Sequence, residues 1–177
     1  LKTIYGNSLR LQKLIEELIQ FRKIESGKEK PVVSQVELVT FTQDIVETFA
    51  QHAVEHDVNL EFLPEPETLQ AWIDPKKLEK ILINLISNAI KYTPEHSRIE
   101  LFAAPEGKFV RICVTDDGPG IPEESRDKLF DMFYSSRTNA ADGRRGMGLG
   151  LALCKSIINA HGGELTVADN KPQGTIF

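Results

Sequence analysis

"NLISNAIKYT", residues 84–93, lies inside one of the most apolar stretches of the chain. It puts two asparagines four residues apart on an oily helical pattern, then adds a lysine and a tyrosine. At about 100° per residue, Leu78, Ile81, Leu82, Leu85, Ile86 and Ala89 fall on one broad helix face. Asn84, Asn88 and Lys91 gather within about 60° along its edge, and Tyr92 stands beside them, nearer the apolar side. Two explanations are open: a solvated polar face, or a row of ligands at the border of a buried region. Solvated faces usually carry Glu and Lys, whereas asparagine is a poor helix former. An amide oxygen is a neutral ligand suited to a hard cation such as Mg2+. A lysine one turn on can neutralise phosphate. No carboxylate lies on the strip, and one turn before Asn88 stands Asn84, so nothing on this helix can act as a general base towards water.

Around this helix the chain alternates signals of both kinds. Asp74 caps it and Pro75 suits its first position, where a missing N–H is no loss. Pro94 ends it. "RIELFAA" (98–104) and "FVRICVTD" (109–116) read as paired strands around a turn at Glu106-Gly107. Upstream, "VVSQVELV" (32–39) is a short strand leading into a helix through about residue 55. "VNLEFL" (58–63) and "QAWI" (70–73) are strands on either side of a proline turn. Downstream come a short helix near 122–132, a helix from about Gly148 to Ala160, and a closing hairpin of "GELTVAD" (163–169) and "GTIF" (174–177). The order is mixed, without strict βαβ alternation, which predicts an α+β fold: a two-layer sandwich of helices on a mixed β-sheet.

Residues 1–24 form a separate helical pattern, with Ile4, Leu11, Leu14, Leu18 and Phe21 at three- and four-residue steps. The stripe packs on its own domain or forms the seam of a dimerising bundle. "ESGKEKP" (25–31) breaks the pattern and reads as a linker.

Composition narrows the function. The 177 residues are 41% hydrophobic and 27% charged, with a net charge of −5. That balance argues against nucleic-acid binding by bulk charge and against a basic membrane-surface helix. No apolar run reaches the roughly 18 residues of a membrane span. Cys113 and Cys154 lie in apolar runs and read as reduced core residues of a cytoplasmic protein. The four histidines show no metal spacing. The chain opens on Leu1 and reads as a piece of a longer protein.

Two glycine-rich stretches remain. "DDGPGI" (116–121) puts a carboxylate at a strand end before Gly118 and Gly120; it is an everyday turn or an acceptor for an exocyclic amine. "RRGMGLGL" (144–151) opens a helix and is a hinge or an anion-facing helix start. It lacks the preceding strand of a dinucleotide fingerprint and the Gly-Lys-Ser/Thr of a P-loop. Between them "FDMFYSSRTNAADGRRG" (130–146) offers Phe130 and Phe133 as core anchors and then a polar loop with Arg137, Arg144 and Arg145, fit for a lid that carries cations to phosphates.

In this order the pieces resemble the catalytic ATP-binding domain of sensor histidine kinases, in the ATPase superfamily shared with gyrase, Hsp90 and MutL. "NLISNAIKYT" is similar to the family's N box, "DDGPGI" to its first glycine box, "FDMF" to its F box and "GMGLGL" to its second glycine box; "HGGELTV" and "GTIF" are similar to its closing strands. The opening segment resembles the second helix of the dimerisation domain, so residues 1–27 would be part of that domain and 28–177 the catalytic domain. The resemblance implies ATP and Mg2+ as cofactors. Asn88 would hold the metal, and Asn84, Lys91 and Tyr92 would contact or position phosphates, Asn84 and Lys91 being the catalytic candidates. Asp116 would accept from the adenine amine, with Gly118, Gly120 and Ile121 shaping that pocket. Phe133, Arg137, Arg145, Gly146, Gly148, Leu149 and Gly150 would belong to the lid and its hinge. Two departures are visible: Asp117 where asparagine is often found, and Met147 between the glycines.

None of His52, His56, His96 or His161 has the phosphoacceptor context of these kinases. The implied function is donation of the ATP γ-phosphoryl group to a histidine on a helix outside this sequence, for relay to a response-regulator aspartate. The parent would be a homodimer, with this part of it cytoplasmic. Two alternatives remain: an ATP-hydrolysing or serine-kinase member, which would place a glutamate where Asn84 stands, and a nucleotide-binding scaffold without catalysis.

Overall fold

A computed structural model describes residues 2–134 and 148–177. In chain order the elements are α1 (Lys2–Glu25), β1 (Ser34–Glu37), α2 (Leu38–Thr48), α3 (Ala50–Glu55), β2 (Val58–Pro64), β3 (Gln70–Ile73), α4 (Pro75–Tyr92), β4 (Ser97–Glu106), β5 (Phe109–Asp116), α5 (Glu123–Arg126), α6 (Gly150–Ala160), β6 (Ala168–Asp169) and β7 (Thr175–Ile176). Five strands form one mixed sheet in the order β2-β4-β5-β7-β6, and β1 and β3 form a separate antiparallel pair. The fold is α+β, as the mixed element order predicts.

β2 and β4 run parallel. Parallel neighbours need a crossover connection, and the segment holding β3 and α4 provides it. β4 and β5 form the expected hairpin, with Ile99 opposite Asp116 and Glu106 opposite Phe109. Side chains alternate across the sheet. Ile99, Leu101, Ala103 and Val114 are therefore buried on the inner face. There Ile99, Leu101 and Val114 share a core with Ile45 and Val46 of α2, Ile81, Leu82, Leu85 and Ile86 of α4, and Leu153, Cys154 and Ile157 of α6, while Ala103 packs with Leu38 and Leu69. The same alternation turns Asp116 inward at the very end of β5, where it is also buried.

Helix α4 begins as its sequence predicts. Asp74 accepts from Lys77 N at 3.2 Å and Pro75 occupies the first turn. The other Asp74 oxygen accepts from Val32 N at 2.8 Å, which ties the linker after α1 to the start of α4. The N-terminal stripe divides. Phe21 is buried in the main core against α6, Leu14 and Leu18 are half-buried and Leu11 stays exposed; off the stripe, Ile24 is buried and Ile15 and Ile19 are exposed.

Several boundaries differ from the sequence reading. The helix through residue 55 breaks at Phe49, whose N–H bonds Val46 O three residues back and tightens the end of α2. The helix near 122–132 is a single turn, α5, followed by further three-residue turns in which Lys128 N bonds Ser125 O and Asp131 N bonds Lys128 O. The closing hairpin pairs only Ala168–Asp169 with Thr175–Ile176, although Leu165 keeps an inward, buried place before it.

Candidate functional site

The polar strip of α4 meets the two glycine stretches at opposite ends. Asn84 donates from Nδ2 to Lys80 O at 3.1 Å, which turns Oδ1 towards the first residue of α6. The approach is so close that a Cβ on Gly150 would overlap Asn84 Oδ1. At the other end, a Cβ on Gly118 would come within 3.3 Å of the Tyr92 carbonyl oxygen. Asn88 and Lys91 lie between these points along the helix. Both are half-buried, and the Asn88 amide makes no hydrogen bond with any described residue. Lys91 Nζ donates to Tyr92 OH at 3.1 Å and sits 4.7 Å from the centre of its ring, a geometry that holds the cation over the aromatic face.

Asp116 forms the buried end of the site. It is 6% exposed. Burial pushes its pKa above the ordinary carboxylate value, and the charge of Asp117 pushes the same way; hydrogen bonds from Gly118 and Thr175 oppose them. Gly118 N donates to Asp116 Oδ1 at 2.8 Å. Gly120, with φ +75°, and Ile121 continue this turn, and Ile121 O accepts from the Arg126 guanidinium at 3.2 Å.

The start of α6 is the opposite pole. Leu149 precedes it in a right-handed helical conformation and is 2% exposed. No side chain caps this helix among the described residues. Its first N–H groups are thus available to an anion. Gly148 begins the segment rather than the helix because its φ is +69°, and a Cβ there would lie 2.6 Å from Tyr134 O. Phe133 N donates to Gly148 O at 2.9 Å, so the two described ends of the loop are joined.

One aromatic expectation is corrected. Phe130 packs against the core, but Phe133 is 62% exposed with φ +64°, because its backbone follows Gly148 instead of the core. Arg137, Arg144, Arg145 and Gly146 lie outside the described residues. Sequence reasoning also missed Thr175 and Asn170. Thr175 bonds the Asp116 carboxylate, and Asn170 Nδ2 donates to Asp116 O at 3.1 Å. Their only sequence signal is the Gly-Thr step of "GTIF", which does not announce its register against β5.

Among the described residues no three His, Cys, Asp or Glu side chains gather in a way that could hold a metal. The Asn88 amide, without a hydrogen-bond partner among the described residues, is an oxygen donor on the strip, and one neutral ligand suits a hard cation that takes its other oxygens from phosphate and water. The site offers a buried acceptor at one pole, helix N–H groups and the Asn84 amide at the other, and Asn88 and Lys91 between. It fits an elongated ligand with an N–H donor at one end and negative charge at the other. Neither the strip nor α6 brings a carboxylate to activate water.

Residues 73–177 match the family described as histidine kinase-, DNA gyrase B-, and HSP90-like ATPase. The sensor protein KdpD of Clostridium acetobutylicum is 34% identical over 175 residues, covering 98% of this chain and 19% of that protein. The chain thus spans about a fifth of that relative's length. The solved catalytic domain of the histidine kinase ThkA, in a nucleotide-free form, superposes with a TM-score of 0.73 at 29% identity, over 82% of this chain and 91% of that one. Histidine kinase ThkA in complex with the response regulator protein TrrA aligns with a TM-score of 0.78 at 26% identity, covering 99% of this chain and 48% of that one. The family match covers more than half of the chain, and the chain belongs to the histidine kinase-, DNA gyrase B-, and HSP90-like ATPase family.

Proposed function

We propose that this chain is the ATP-binding catalytic domain of a two-component sensor histidine kinase, residues 28–177, joined to a helix of its dimerisation domain, residues 1–27. One observation carries the reading: both glycine stretches close on the two ends of one α4 strip, Gly150 on Asn84 and Gly118 on Tyr92 O. Asp116 accepts from the adenine amine. The N-terminus of α6 and Lys91 take the phosphates, and Asn84 orients them beside Gly150. Asn88 is the residue that would hold Mg2+, which when bound neutralises phosphate charge and orients the transferred group. The resemblance adds Arg137 and Arg145 as phosphate cations.

Phosphoryl transfer by positioning needs a nucleophile brought from elsewhere. Asn84, with one amide group on Lys80 O and the other against α6, offers no base for water. The reading therefore favours transfer to a histidine on a helix outside these residues over ATP hydrolysis. His161 is engaged with Asp74 N and Ile157 O, His52 sits on the short α3 and His56 just past its end, which supports none of them as acceptor. The resemblance adds a homodimeric parent and a cytoplasmic location, and the complex of ThkA with a response regulator supports such a regulator as next acceptor. Among the described residues no helix is long and apolar enough to cross a membrane.

Calorimetry with AMPPNP, with and without Mg2+, tests the site. The wild-type chain binds, and Mg2+ tightens binding; Asn88→Ala removes that gain, an expected loss of about tenfold or more, with thermal unfolding unchanged. Mg2+-dependent binding that survives Asn88→Ala unaltered sinks the assignment of the strip. Incubated alone with Mg-ATP, the chain gains no acid-labile phosphate; phosphohistidine on it overturns the placement of the acceptor.

A further inference from the structure

The end of β5 is held from behind by a polar clip that the reading above does not use. Asp117 pairs reciprocally with the start of β4: its N–H donates to Arg98 O at 3.2 Å, and its Oδ2 accepts from Arg98 N at 3.2 Å. Its Oδ1 accepts from Asn170 Nδ2 at 3.2 Å. The same Asn170 amide nitrogen donates to the Asp116 carbonyl at 3.1 Å. Asn170 N in turn bonds Gly174 O at 3.1 Å, and Gly174 lies so tightly on Asp116 O that a Cβ would overlap it. Three separate pieces of chain, at 98, 116–117 and 170–175, therefore converge on one backbone step.

We infer that Asp117 and Asn170 are positioning residues that set the Asp116 carboxylate for recognition of the purine amine. The inference rests on the nucleotide reading above. The backbone carbonyl of Asp116 is fixed by Asn170 and Gly174, its successor is fixed by Asp117 on Arg98, and its side chain has Gly118 and Thr175 as donors. Both the site of attachment and the rotamer are thereby defined. The pairing is chemically matched. Asp117 is acceptor-only and meets two donors, the Arg98 N–H and the Asn170 amide. An asparagine at 117 has one oxygen for those two donors, and its NH2 would oppose either Arg98 N–H or the Asn170 NH2. Among the described residues, Asn170 is the one amide that reaches both Asp116 O and Asp117 Oδ1. Neither residue need touch the ligand; each acts through Asp116.

Competing ligands separate positioning from mere stability. ATP and ITP share ribose and phosphates, but ITP carries a carbonyl in place of the exocyclic amine, which a carboxylate repels. Affinities of the intact 177-residue chain for both nucleotides give a discrimination ratio. In wild type the ratio favours ATP. In Asn170→Ala and in Asp117→Asn, ATP affinity falls about tenfold while ITP affinity is held, so the ratio shrinks by the same factor. Equal losses for both nucleotides, or an unchanged ratio in folded Asp117→Asn, overturn the inference. If Asn170→Ala fails to fold, the near-isosteric Asp117→Asn decides alone. A wild-type chain that binds neither nucleotide refutes the nucleotide reading itself; one that binds both equally refutes the pairing of Asp116 with the amine; a wild-type preference that both variants keep refutes only the clip.

Discussion

At the scale of single residues, Asp116 is where charge and burial conflict. Its folded pKa is raised, chiefly by desolvation, above the ordinary 3.8. A carboxylate raised in the fold contributes stability that is fully present below its unfolded pKa and lost as pH rises through the folded value. At neutral pH the wild-type chain therefore bears a buried anion that it would be more stable without. Asp116→Asn keeps an oxygen for Gly118 N and Thr175 and removes the charge. Its melting temperature is expected above wild type at pH 7.5, with the gap narrowing as pH falls towards 3.8, while ATP affinity drops by about tenfold or more. A gap that widens on acidification shows the sign to be wrong. Gly174 shows the opposite intolerance. Its φ of +129° and its contact with Asp116 O leave no place for a side chain. Gly174→Ala is expected to cost about 3 kcal/mol in denaturant unfolding.

At the scale of elements, the start of α2 depends on a glutamate rather than the usual Ser, Thr, Asp or Asn cap. Glu37 accepts from Thr40 N at 2.7 Å, Thr40 Oγ1 at 2.6 Å and Leu69 N at 2.8 Å, joining α2 to the approach to β3. These bonds, the Thr40 hydroxyl first, hold its pKa at about 2, below the ordinary 4.5. A lowered carboxylate contributes stability above its unfolded pKa and loses it as pH falls towards the folded value. Glu37→Gln should thus lower stability at pH 7 by about 1 kcal/mol, and the difference from wild type should close between pH 4.5 and 2. A constant difference across that window would falsify the cap's ionic character. This cap was invisible in the sequence because glutamate is no cap signal and Leu69 is far along the chain. By contrast Asp74-Pro75 announces α4 locally, and the 3.6-residue spacing of Ile81, Leu82, Leu85 and Ile86 announces its buried face. The site divides likewise. Asn84, Asn88 and Lys91 share one helix and could be grouped by spacing alone. Thr175 and Asn170 reach Asp116 through strand register, which no local pattern encodes.

At the scale of the whole molecule, α1 bears two different apolar surfaces. Phe21 and Ile24 are under a tenth exposed and share the core with α4 and α6, whereas Leu11 and Ile15 are 58% and 49% exposed. The sequence stripe could not separate Leu11 from Phe21, which stand on the same three- and four-residue steps, since the position of α6 decides where docking ends; Ile15 and Ile24 lie outside that stripe. The two halves should respond differently to substitution. Phe21→Ala removes a buried aromatic and should cost about 3 kcal/mol, seen as a lower urea midpoint. Leu11→Glu with Ile15→Glu touches no core contact and should leave that midpoint nearly unchanged. If the exposed half is the bundle seam of a homodimer, the wild-type chain self-associates with rising concentration in sedimentation velocity, because such a stripe gains by covering its apolar surface. The double glutamate variant then stays monomeric through the same range, since charges at a helical seam must be desolvated to pair. Association that persists in the variant assigns the contact to another surface. A wild-type chain that is monomeric throughout removes the exposed half of α1 as a self-sufficient dimer seam.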